Sequence, residues 1–251
     1  MLILSTVIFY CGNANSEVIT IRPKNTFKYR HDNKAEILFD IKCNEPIKSK
    51  LIALTFDDGP HKKRTQIILD ILKKYEVKAT FFVIGKRVLT NKNVLTNVFN
   101  EGHEIGNHSM SHPTVQTLNY ESLKNEFNLT NELIKKTTIA DVKYIRPPYG
   151  TLNNTVRKIS KQLQNKIVLW SWDQDTKDWK EKNINKIAKK VLDNAYCGDI
   201  VLFHDNISTT PKVLEIIIPS LIEMGFNFVT ISELIASVHN SENYDCYCYD
   251  E

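Results

Sequence analysis

Asp57 and Asp58 stand side by side in Thr55-Phe-Asp-Asp-Gly-Pro60, and His108 and His112 stand four residues apart in Asn107-His-Ser-Met-Ser-His-Pro113. Carboxylate and imidazole are zinc-binding donor types, and a catalytic zinc commonly keeps three protein ligands and one open position. His108, His112 and one aspartate make such a set. On a helical turn, an i, i+4 pair puts both rings on one side. Successive residues at a strand end point to opposite faces, so the two aspartates can divide the work, one on a metal and one as a base. His103 and His61 are alternative ligands. His103 lies within an apolar stretch and is expected to point elsewhere, and His61 to sit at the rim.

Three further clusters carry reactive groups. Arg146-Pro-Pro-Tyr149-Gly150 joins a cation able to hold a carboxylate to two prolines that fix the backbone. The Tyr149 amide there could donate to an oxyanion. Asp173-Gln-Asp175-Thr-Lys-Asp178-Trp179 carries three carboxylates and an indole, which could wall a pocket or face a sugar ring. His204-Asp205 supplies a histidine suited to general acid work. Each cluster alone also fits a plain structural role: a helix cap, a satisfied histidine, a rigid turn.

The elements that must hold these clusters follow from hydrophobic patterning. Short apolar runs at 51–56, 79–84, 103–106, 143–145, 167–172, 200–203 and 226–231 read as strands. Amphipathic stretches near 65–75, 88–100, 120–136, 152–163, 184–194, 212–224 and 233–238 read as helices. The alternation predicts βαβ units, an α/β class and a parallel sheet with both faces covered. Seven or so units suit a distorted (β/α)7–8 barrel in a single domain; an open doubly wound sheet is the alternative. In both architectures active sites gather at the carboxyl ends of the strands, where every cluster above falls.

Composition sets the outer bounds. The chain has 251 residues, 42% hydrophobic and 25% charged, with a net charge of +4. These values are close to globular averages and argue against disorder. So small and dispersed a charge gives no reason to expect a nucleic-acid partner. A mean hydropathy of −0.31, with no long apolar run beyond the N-terminus, excludes a polytopic membrane protein. Residues 1–14 read as a signal peptide lacking a basic first segment, a buried first strand being the alternative. Residues 15–50 carry no motif and are expected to pack on the barrel, 51–238 form the domain, and 239–251 a tail. Secretion, to the extracellular space or a cell or spore wall, is the expectation. It makes Asn128, Asn153 and Asn206 candidate glycan acceptors and Cys43, Cys197, Cys246 and Cys248 candidates for disulfides. Barrel closure should bring Cys43 to Cys246 or Cys248, with Cys197 free or paired to the remaining tail cysteine.

Taken in order, the five clusters resemble the motifs of the polysaccharide deacetylases with a NodB-homology domain, carbohydrate esterase family 4. The likeness runs from about Leu51 to Ile235 and is strongest to the chitin deacetylase branch. It implies a distorted (β/α) barrel and a metal-dependent hydrolase that removes N-acetyl groups from N-acetylglucosamine units of chitin or a related wall polysaccharide, releasing acetate. It further implies Asp57 as general base and Asp58, His108 and His112 as ligands of a divalent ion, zinc above all, with cobalt or others able to substitute. Arg146 would orient Asp57, the Tyr149 amide would hold the oxyanion, and His204 would be the general acid. Asp175 is the expected tuner of His204, ahead of Asp178. Tyr149 and Trp179 would contact the sugar. The expected partner is chitin or another N-acetylglucosamine-containing polysaccharide, bound by a monomer. A catalytically silent glycan-binding wall protein on the same fold is the competing reading.

Overall fold

The computed structural model describes residues 18–19, 40–43, 50–239 and 244–247, with side chains over 50–237. The expected signal peptide, most of 15–49 and most of the tail lie outside the described residues. In chain order the strands are β1 (Val18–Ile19), β2 (Asp40–Cys43), β3 (Lys50–Gly59), β4 (Thr80–Val83), β5 (Glu104–Asn107), β6 (Tyr144–Ile145), β7 (Lys166–Val168), β8 (Asp199–His204), β9 (Phe226–Phe228) and β10 (Tyr244–Tyr247). The helices are α1 (Arg64–Lys74), α2 (Gly85–Thr90), α3 (Lys92–Asn100), α4 (Tyr120–Thr138), α5 (Asn154–Gln162), α6 (Ile184–Asp193), α7 (Thr210–Glu223) and α8 (Ile231–His239).

The main sheet is parallel, in the order β1-β7-β6-β5-β4-β3-β8, with β9 also on β3. Its ends are drawn together by the chain that leaves β7. Ser171 N–H donates to Ile200 O at 3.0 Å, Ile200 N–H donates to Ser171 Oγ at 3.0 Å, and Asp175 bridges Leu202. The sheet therefore curls into a distorted barrel whose last seam is an irregular segment rather than a strand. That segment includes a 3-10 turn over Trp172–Gln174, so the strand expected at 167–172 stops at Val168.

β3 explains how one strand serves two cores. Its residues alternate sides. Ile52, Leu54 and Phe56 face outward into a core shared with Ile68 and Leu72 of α1 and Leu214 and Ile218 of α7. Ala53 faces inward with Phe82, Tyr144, Val168 and Ile200, where Ile231 and Leu234 of α8 pack. Thr55 and Asp57 continue the inward row, and both are buried. The same alternation that buries Phe56 thus delivers Asp57 to the barrel interior. The helix expected over 88–100 breaks at Asn91, whose backbone leaves the helical region (φ −133°, ψ 41°) and whose Nδ2 donates to Pro60 O at 3.1 Å.

β2 and β10 form a separate antiparallel pair in which Cys43 faces Tyr244 and Cys246 faces Ile41. The side chains of Cys43, Cys246 and Cys248, and with them the expected bridge, lie outside the described residues. Cys197 is disulfide-bonded. Of the candidate glycan acceptors, Asn153 caps α5 through its Oδ1, Asn206 Nδ2 donates to Asp58 Oδ2 and Asn128 Nδ2 on α4 donates to Glu132 Oε1. Among the described residues no helix is long and apolar enough to cross a membrane.

The Phe56 ring is fully buried, with ring centroids 4.9 Å from Phe81 and 6.0 Å from Phe203. Phe56→Ala should lower the unfolding free energy by roughly 3–5 kcal/mol, read from the urea midpoint at unchanged slope.

Candidate active site

Asp57 and Asp58 do not diverge as an ideal strand would require. Along β4, Asp57 pairs with Phe82 and Gly59 with Val83, so Asp58 is the extra residue of a bulge, and its φ of 71° is left-handed. A bulge re-aims a side chain, and here it brings both carboxylates to one corner. His108 Nε2 lies 3.6 Å from Asp57 Oδ2 and 3.7 Å from Asp58 Oδ1. The next residue, Gly59, passes so close to Asp205 that a Cβ would meet its Oδ2 at 2.1 Å.

His108 follows β5 directly. Its Nδ1–H donates to Arg146 O at 2.6 Å, which leaves the Nε2 lone pair facing the carboxylates. His112 arrives by a loop, not by the helical turn expected from its spacing. Ser109 (φ 68°) and His112 (φ 58°) are both left-handed. Asn107 Oδ1 accepts from Ser109 N–H at 2.7 Å, and Ser109 Oγ accepts from His112 N–H at 3.0 Å. The two rings meet edge to face at 4.9 Å. Burial, and then the neighbouring His108, pull His112 below its ordinary value against the opposing pull of Asp58 and Asp57, which favours the neutral, metal-binding form.

One donor atom each from Asp58, His108 and His112 lies within 4.8 Å of the others. Asp58 Oδ1 is buried without a hydrogen-bond partner among the described residues. A buried orphan carboxylate oxygen is costly, and facing two imidazole nitrogens it fits a divalent ion of the zinc or cobalt type.

Arg146, just past β6, is completely buried. Its Nη1 donates to Asp57 Oδ1 at 2.7 Å and Thr55 Oγ1 at 2.9 Å, Nε donates to Val168 O at 3.1 Å, and Nη2 donates to Leu169 O at 2.7 Å. The guanidinium also lies 4.1 Å above the Phe82 ring. Asp57 Oδ1 is thereby fixed and Oδ2 is left to face the histidines. Two residues on, a 3-10 turn closes by Gly150 N–H to Pro147 O at 3.0 Å and Thr151 N–H to Pro148 O at 3.1 Å, bonds that leave out the Tyr149 amide. Tyr149 itself is left-handed (φ 60°), its ring touches His112 at 4.7 Å, and it is 68% exposed.

His204 ends β8 in register with Asp57 on the adjacent strand. Its partner is Asp178, not the expected Asp175. Asp178 Oδ1 lies 2.7 Å from His204 Nδ1, while its Oδ2 accepts from His204 N–H at 2.9 Å and Thr210 Oγ1 at 2.6 Å. The reason is register. Asp175 is level with Leu202, two residues short of His204, and its Oδ1 accepts from Lys177 N–H at 3.1 Å instead. The left-handed Lys177 (φ 52°) then turns Asp178 in beneath the imidazole. Trp179, beside it, is 54% exposed. Parallel register carried on from 175 sets Lys177 level with His204, so it is the left-handed turn at Lys177, not the count, that brings Asp178 to the ring. No sequence signal marks Asn206, whose Nδ2 approaches Asp58 Oδ2 at 3.4 Å, or Arg87, which bonds Asp58 O.

Comparison with known proteins gives a consistent set. The family model described as polysaccharide deacetylase matches residues 44–168. A peptidoglycan-N-acetylglucosamine deacetylase of Bacillus cereus is 41% identical over 197 residues, 77% of this chain and 92% of that protein. The peptidoglycan-N-acetylmuramic acid deacetylase PdaC of Bacillus subtilis is 36% identical over 85% of this chain but only 45% of its own length. Its solved structure superposes with a TM-score of 0.70 at 39% identity, covering 75% of this chain and 91% of that one. A solved structure from Bacillus anthracis titled a CE4 family pseudoenzyme gives a TM-score of 0.70 at 33% identity, over 74% of this chain and 66% of that one.

Burial lowers the His204 pKa, but the hydrogen bond and charge of Asp178, with Asp57 and Asp58 behind, outweigh it and raise the value to about 9. With the folded value raised, the pair's contribution to stability is fully present below about pH 6.5 and is lost as pH rises through about 9. In the metal-free protein, NMR titration should find the His204 ring changing protonation near about 9. Asp178→Asn should drop that value sharply, and Asp175→Asn should leave it in place. The reverse pattern would restore Asp175 as the partner.

Proposed function

The chain belongs to the polysaccharide deacetylase family, and from that membership we propose that it removes N-acetyl groups from N-acetylglucosamine units of peptidoglycan, releasing acetate. The observation that carries the reading is the Asp57 carboxylate clamped by Arg146 beside the Asp58, His108 and His112 donors, with His204 ending the adjacent strand. Two of the relatives above are named for peptidoglycan, which favours that polymer over chitin. Such a substrate lies outside the cytoplasm, so the reading carries secretion to the wall with it.

The chemistry divides among the residues in place. A divalent ion held by Asp58, His108 and His112 supplies, when bound, a Lewis acid that lowers the pKa of water. Asp57 Oδ2, free of the Arg146 clamp, takes a proton from the attacking water. The Tyr149 amide donates to the carbonyl oxygen as it gains charge. His204, kept charged by Asp178, gives its proton to the nitrogen as the C–N bond breaks. The tyrosine and tryptophan rings at the rim, Tyr149 and Trp179, offer apolar faces to the sugar.

The pseudoenzyme relative gives the second reading substance: a silent glycan-binding protein on this fold. Acetate release from peptidoglycan glycan with zinc or cobalt added separates the two. Asp57→Asn should keep the metal and lose roughly 10²–10⁴ in rate, whereas His112→Ala should lose both metal and activity. Glycan binding with no acetate released by the metal-loaded wild type would establish the silent reading. Loss of metal in Asp57→Asn but not in Asp58→Asn would reverse the two aspartates.

A further inference from the structure

A second opening of about 400 Å³ adjoins the Asp58 corner, and His61, Lys62, Arg64, Arg87 and Asn206 line it. It shares a wall with the site. Asn206 Nδ2 reaches Asp58 Oδ2 at 3.4 Å and Arg87 Nη1 donates to Asp58 O. A ligand in this opening therefore lies beside whatever occupies the metal corner.

The charge of the opening is one-sided. Three cations, Lys62, Arg64 and Arg87, face a space lined by no carboxylate. Among the described residues none of the three joins an ion pair, in a chain whose net charge is only +4. Arg87 is held by its bond to Asp58 O and Arg64 sits against the His61 ring, while Lys62 is exposed. His61 Nδ1 accepts from Lys63 and Arg64 N–H at 3.2 Å each, and Arg64 Nη1 lies 2.9 Å from His61 Nε2. A neutral imidazole accepts at only one nitrogen, so the His61 ring serves either the two backbone amides at Nδ1 or the arginine at Nε2. Asp205, fully buried and outside the lining, accepts from Thr65 Oγ1 at 2.5 Å and already feels the charge of Arg87. Arginine forks match carboxylates in geometry as well as charge.

We propose that this opening is a subsite for a carboxylate carried by the glycan on a sugar next to the one being deacetylated, the lactyl carboxylate or a stem-peptide carboxylate. The proposal rests on the peptidoglycan reading and deepens it: the chain selects anionic over neutral glycan through Lys62, Arg64 and Arg87. Neither Lys62 nor Arg64 touches the metal or proton-transfer groups, so both can be altered without disturbing the chemistry.

The test compares the wild type with Lys62→Gln and with Lys62→Gln/Arg64→Gln on three substrates. These are neutral N-acetylglucosamine oligomers, peptide-free glycan with open lactyl carboxylates, and stem-bearing glycan. In the double variant, KM on the carboxylate-bearing substrates should rise about tenfold with kcat unchanged, and KM on the neutral oligomer should stay constant. The substrate whose KM rises identifies which carboxylate is read. Added salt should weaken wild-type preference for the anionic glycans and leave the double variant indifferent. Calorimetric binding of the same three glycans decides the matter even if no acetate is released, an outcome that would remove the deacetylase reading alone. Equal KM increases on neutral and anionic substrates, or a wild type that binds both equally, would overturn the subsite.

Discussion

The buried pair between Arg146 and Asp57 is the constraint on which the rest of the site hangs. A guanidinium with no exposure costs several kcal/mol to desolvate unless its donors are met. Here acceptors from three parts of the barrel meet them: Thr55 and Asp57 on β3, Val168 on β7, and Leu169 beyond it. The carbonyl of the same residue holds the His108 ring. One residue therefore sets the rotation of the base, the tautomer of a metal donor and the spacing of the strand ends that carry both. The Phe82 ring beneath it is pressed in turn by Gly106, where a Cβ would lie 2.5 Å from that ring. A side chain at 106 would push the aromatic floor into the ion pair.

The acid side is arranged by a simpler rule. Parallel pairing puts Asp57 and His204 at the ends of neighbouring strands, so groups that take and give protons approach the same space from two directions. Asp178 then serves the histidine twice, at the ring and at the backbone amide, while Thr210 orients it. The irregular seam that closes the barrel is the segment that delivers Asp178, which couples closure of the fold to the charge of the acid.

Much of this was legible in the residues because strand patterning is local. The apolar run through Phe56 predicts a strand buried on both faces, and the position of the reactive clusters at strand ends follows from it. The metal donors were legible as types and spacing. Their geometry was not, because the bulge at Asp58 and the left-handed turns at Ser109 and His112 are imposed by neighbours in space. Asp175 is nearer the strand end along the chain, but it lies level with Leu202, and only the left-handed turn at Lys177, which no local pattern marks, brings Asp178 to His204. The break at Asn91 escaped because its cause, a bond to Pro60, joins residues thirty-one apart.

Three residues of the site, Asp58, His112 and Tyr149, hold left-handed backbones that residues with a Cβ adopt reluctantly. Such positions cost on the order of 1–3 kcal/mol each when the surrounding structure enforces them. For a fold whose total margin is about 5–15 kcal/mol, that is a material tax on stability levied at the working end alone. Glycine at Asp58 or His112 would relax the chain and remove a metal donor, whereas glycine at Tyr149 would keep the amide and lose the ring. Selection for thermal endurance and selection for turnover therefore pull this chain in opposite directions at the same few residues. A descendant freed from catalysis would be expected to shed its strain there first.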